Sequence, residues 1–180
     1  MDKNVIGNKS KFAVEYSFFE DHTTEIALFI KNKNILAYTK NGQNLTTRWN
    51  LDELVLWMRS FIDAMQPDPY PVECDGDYAA AKDINARDFD SDDDDILDAY
   101  YDKLYEWNLR HRWHHVSEGA ILADVYFELV DDNVEVSWNN QDNEEGVEFS
   151  EILGGQVIAK KDFIDVIEAF LIDYANYWFK

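Results

Sequence analysis

The sequence predicts an α+β fold in which antiparallel sheet from two hairpin regions packs against about three amphipathic helices. Three observations predict it. Runs rich in aromatic and β-branched residues lie near both ends of the 180-residue chain, and separate segments repeat apolar residues at helical spacing. With 46% hydrophobic and 15% aromatic residues, the chain can bury one substantial core. One domain spanning residues 1–180 is expected.

Taken in order, Lys11 to Phe19 reads as a strand, followed by Thr24 to Ile30 and Asn34 to Thr39 around a turn at Lys31-Asn32-Lys33. Asn50 stands where a helix should begin, with Asp52 and Glu53 in a first turn that favours acids. The apolar face of that helix is Leu54, Trp57, Met58, Phe61, Ile62 and Met65, and Pro67, Pro69 and Pro71 follow it. Ser91 is a candidate cap for a second helix carrying Leu97, Tyr100, Tyr101, Leu104, Tyr105 and Trp107. Ala120 to Val130 and Asn133 to Trp138 read as strands around Asp131-Asp132, with Val147 to Ser150 and Gln156 to Lys160 as shorter ones and Gly154-Gly155 as punctuation between them. A last helix, Lys161 to Phe179, should turn Phe163, Ile164, Val166, Ile167, Phe170, Leu171 and Tyr174 inward. The hairpin-then-helix order at 11–65 recurs at 120–179, which suggests two related halves separated by an acidic insert, 66–119.

Charge is the strongest signal. The formal net charge is −21, and it is regional. Glu73 to Glu106 holds thirteen acids against Lys82, Arg87 and Lys103, while Asp131 to Glu151 holds eight acids and no base. The first forty residues are nearly neutral, with five acids and six lysines. Concentrated negative charge repels polyanions and speeds encounter with cationic partners, so direct nucleic-acid binding is disfavoured. No apolar run approaches the roughly 20 residues that cross a bilayer, and Met1 to Ser10 is polar with no apolar signal segment behind it. A cytoplasmic protein is expected, and the lone Cys74 leaves no internal disulfide to form.

Asp88, Asp90, Asp92 and Asp94 alternate as in a calcium loop, but Asp93 stands where such a loop needs glycine and Ala99 where it needs a bidentate glutamate. The run reads instead as a solvated helix start. Trp107 to His115 contains three of the four histidines, His111, His114 and His115, whose spacing could supply two ligands of a metal site completed by Cys74 or an aspartate. A structural role at a helix C-terminus suits the same residues through the helix dipole. Arg110 and Arg112 with two tryptophans could stack on bases, against which the surrounding acids argue. No phosphate-cradling glycine loop, nucleophile elbow or paired-cysteine metal site occurs. Trp138 leads into the polar loop Asn139 to Gly146, which has the composition of an exposed acidic rim beside an aromatic anchor.

In size, acidity and lack of catalytic motifs the chain resembles the small immunity proteins that protect bacteria from toxins of contact-dependent and other polymorphic systems. The resemblance rests on Glu73 to Glu106 and Asp131 to Glu151. It implies a binding protein without cofactor that covers the active site of a basic, nuclease-like toxin domain. The residues expected to meet that partner are Asp92, Asp93, Asp94, Asp95, Asp98, Asp102, Trp138, Asp142, Glu144 and Glu145. Two alternatives stand beside it: a metal-dependent hydrolase built on His111, His114 and His115, and a DNA mimic whose carboxylates repeat at phosphate-like spacing.

Overall fold

The computed structural model describes residues 3–113, 120–141 and 144–179. As the sequence predicts, the fold is α+β with antiparallel sheets. Among the described residues, strands β1 (Asn4–Asn8), β2 (Phe12–Phe18) and β3 (Thr24–Ile30) form an antiparallel sheet, to which the short β4 (Lys33–Asn34) and β7 (Arg48–Trp49) add on β3. A second sheet orders β10 (Val147–Phe149), β5 (Ala37–Lys40) and β6 (Gln43–Thr46), and a third orders β11 (Leu153–Ala159), β9 (Asn133–Asn139) and β8 (Val125–Val130). Four helices complete the fold: α1 (Asp52–Asp63), α2 (Ala79–Ala86), α3 (Asp94–His111) and α4 (Lys160–Trp178).

The hairpin expected around Lys31-Asn32-Lys33 is only two residue pairs long. Lys31 and Asn32 adopt the positive φ that tight hairpin turns require. The chain then bends inward, because Asn34 Oδ1 accepts the Leu36 N–H at 3.1 Å and both Ile35 and Leu36 are fully buried. Tyr38 and its neighbours therefore pair with β6 and β10 rather than with β3. The β5–β6 turn is Asn41-Gly42, with φ of 53° and 79°.

The main core joins all three sheets through α1 and α4. Six residues of α4 are buried, Phe163, Val166, Ile167, Phe170, Leu171 and Tyr174, which is the predicted face with Ile164 at its margin. Phe163 stacks on Phe12 from the first sheet at 5.3 Å and meets Phe127 from the third at 5.6 Å. From α1, Phe61 reaches the same Phe127 at 5.7 Å.

The third sheet is covered on both faces. Val125, Phe127, Leu129, Val134, Val136 and Trp138 face the main core. The alternate residues Tyr126, Glu128, Glu135 and Ser137 are also buried, because the chain between α1 and β8 folds over them as α2 and α3. There Ala79, Ala80, Ala86, Leu104, Trp107, Tyr70 and Tyr126 make a second, smaller core. Helix α2 was not expected from the sequence.

Gly154 and Gly155 lie inside β11 rather than between strands. A Cβ on Gly154 would meet the Trp138 ring at 2.5 Å, and one on Gly155 would meet Tyr78 at 2.7 Å. Glycine here admits an indole on one side of the strand and a phenol on the other.

Candidate partner-binding surface

Helix α3 begins two residues later than a Ser91 cap would place it. Asp93 is the N-cap, and its Oδ1 accepts the N–H groups of Asp95 at 3.0 Å and Ile96 at 3.3 Å. Ser91 supports it by accepting the Asp93 N–H at 3.2 Å. Asp94 and Asp95 then occupy the first turn, where the helix dipole favours them. Part of the acid run is therefore explained by helix initiation.

The rest of α3 is not. Of its 18 residues only Leu104, Trp107 and His111 are buried, one narrow stripe at i, i+3 and i+7. Tyr101, Tyr105 and Leu109, at i, i+4 and i+8, point outward, with Tyr105 58% and Leu109 43% exposed. At 3.6 residues per turn these three share one arc of roughly 140° with Asp94, Asp95, Asp98, Asp102 and Glu106. Lys103 and Arg110 fall outside that arc. None of its five acids is ion-paired among the described residues. The face runs about 22 Å from Asp94 to Leu109, at 1.5 Å per residue. Tyr101 anchors the preceding acidic loop to it, its hydroxyl donating to the carbonyls of Arg87 and Phe89 at 2.9 Å each.

Trp138, expected at an exposed rim, is a core residue only 6% exposed. The inner position it holds in β9 and the notch at Gly154 draw its indole inward. Asn139 and Asn140 are buried with it, Asn140 donating to the Glu151 carbonyl at 2.8 Å. Glu144 and Glu145 are exposed, and Glu144 lies 3.4 Å from Lys40. Glu144 also lines a cavity of about 340 Å³ together with Arg87, the residue that leads into the Asp88 to Asp95 run. Asp142 lies outside the described residues, as do His114 and His115.

His111 is committed to structure. It stacks on Trp107 at 4.3 Å, Nδ1 donates to the Phe127 carbonyl at 2.7 Å, and Nε2 meets Asp68 Oδ2 at 3.0 Å. Burial pushes the Asp68 carboxyl up, but hydrogen bonds from His111 and Arg110 outweigh it and hold the group below its usual range. Among the described residues no three His, Cys, Asp or Glu side chains converge to hold a metal ion. Arg110 and Arg112, considered above for base stacking, are paired with Asp68 at 2.9 Å and with Asp124.

Behind α3 lies a buried polar layer that sequence reading missed. Asp83, on α2, is 3% exposed and accepts from Tyr126 at 2.9 Å, Asn108 at 3.0 Å and Arg87 Nη2 at 2.7 Å. Its burial raises the carboxyl, and the Asn108 and Arg87 hydrogen bonds with the nearby guanidinium charges more than reverse the effect. Glu128 and Glu135 sit directly opposite each other on β8 and β9. Burial raises both, and Glu135 raises Glu128 further. Glu135 nevertheless accepts the Ala79 N–H at 2.7 Å and the Ser137 hydroxyl at 3.1 Å, which seats the start of α2 on the sheet. These contacts fix α2 and the base of α3. The signal in the sequence was the polar alternation Tyr126, Glu128 and Glu135, Ser137, which by itself reads as a solvent face.

The chain matches no protein-family model, and no curated protein or solved structure is significantly similar to it. No helix among the described residues is long and apolar enough to cross a membrane.

Proposed function

We propose that this protein works by binding, and that it captures a basic protein partner on the outer arc of α3. The supporting observation is the arrangement of that arc: five acids that make no ion pair among the described residues, interleaved with Tyr101, Tyr105 and Leu109. Charged groups of one sign steer a cationic partner and set the on-rate, while exposed aromatic and aliphatic side chains supply the contact area that slows release. Such a surface suits an inhibitor that covers the cationic, phosphate-binding cleft of a nuclease-like toxin, the role of an immunity protein in the cytoplasm of the cell it protects. No cofactor enters this reading.

Replacing Asp94, Asp95, Asp98 and Asp102 by lysine, with the cap Asp93 retained, tests it. The variant is expected to keep the parent's circular dichroism and to lose association with the basic partner that tagged parent protein retains at low salt. Equal retention by parent and variant would remove α3 from the account.

A further inference from the structure

We propose that the cavity at the carboxy-terminal end of the α3 arc is a receptor for an arginine side chain of the partner. This rests on the α3 reading and adds a specific anchor to it. The cavity is about 250 Å³ and lies between the ends of α1 and α3, with Trp57, Phe61, Ala64, Asp68 and Leu109 among its lining. It is continuous with the arc through Leu109.

Three features fit a guanidinium there. Trp57 and Phe61, stacked on each other with centroids 5.6 Å apart, both line the cavity, and the half-buried Trp57 offers aromatic surface to a planar cation and its aliphatic stem. Helix α1 ends at this cavity with no basic residue in its own last turn to offset the negative end of its dipole, and Arg110 of α3, which also lines the cavity, is engaged by Asp68. Asp68 stands at the rim with both of its hydrogen-bonding neighbours, Arg110 and His111, on Oδ2. Its Oδ1 has no hydrogen-bond partner among the described residues, which leaves one carboxylate oxygen for an incoming donor. Trp57 is held in place by its own indole N–H, which donates to the Leu109 carbonyl at 3.0 Å.

Hexa-arginine is a suitable probe, with hexa-citrulline as its uncharged isostere, each titrated at low salt into isotopically labelled protein. Hexa-arginine is expected to shift the Trp57 indole N–H and the Ala64 amide, and hexa-citrulline to leave both unmoved. Ala64→Lys supplies the missing cation to the end of α1. It should bind at least tenfold more weakly at this site while melting no lower than the parent, which separates occupancy from misfolding. Shifts confined to Asp94 to Asp102, with Trp57 and Ala64 unmoved, would overturn the cavity while leaving the α3 surface standing. Shifts in neither place would overturn both. Equal response to citrulline would overturn the assignment to a cation.

Discussion

Asp93 illustrates how one residue in a charged run can have a role its neighbours lack. Its carboxylate satisfies two amide donors at the start of α3, whereas Asp94, Asp95, Asp98 and Asp102 make no ion pair among the described residues. Asp93→Ala should therefore lower stability by about 1 kcal/mol, the ordinary cost of losing an N-cap, measurable by urea denaturation. A variant as stable as the parent would show that the acid run starts the helix by charge alone. The Glu128 and Glu135 pair makes a second prediction at this scale. Both carboxyls are raised, so the fold holds protons there that the unfolded chain has released. Their contribution to stability should fall as pH rises through and above the ordinary glutamate range, opposite in sign to that of the lowered Asp68 and Asp83. Glu128→Gln removes one charge and keeps an acceptor. Its stability should match the parent's at acidic pH and exceed it at neutral pH, and a constant difference across that range would contradict the assignment.

At the scale of elements, the sequence was most legible where apolar spacing was long and regular. The inward face of α4 follows from helical spacing, and the extents of β2, β3 and β9 from runs of aromatic and β-branched residues bounded by turn residues. Glycine and asparagine were harder to read, because each has two uses. Gly154-Gly155 looked like turn punctuation but serves close approach, so Gly154→Ala must displace the Trp138 ring and should cost about 1 to 3 kcal/mol in thermal or urea unfolding. Asn41-Gly42, a strong hairpin signal, does close β5 onto β6, a pairing that the reading of Asn34 to Thr39 as a partner of β3 obscured. Short α2 was illegible for another reason. Its helix is fixed from outside, by Glu135 and Ser137 accepting its first amides, and its own apolar residues are mostly alanine.

For the whole molecule, the third sheet explains both what could be read and what could not. Its apolar residues alternate as strands should, and the fold class follows. Its polar residues alternate too, yet they are buried, because the acidic chain between α1 and β8 covers them, Asp83 accepting from Tyr126 and the first amides of α2 donating to Glu135 and Ser137. That covering layer spends some carboxylates on structure and presents others along α3. Trp138 could not be placed from sequence, since its neighbours Asn139 to Gly146 are polar while its indole belongs to the core. A net charge of −21 raises encounter rates with cations, an effect that weakens as salt screens it. The most direct test of the account is co-purification at low salt from the native cell, comparing the tagged parent with the variant carrying lysine at 94, 95, 98 and 102. The parent is expected to retain a basic protein, released as salt rises, which the variant does not retain. Retention of the same protein by both, with the same salt dependence, would contradict it.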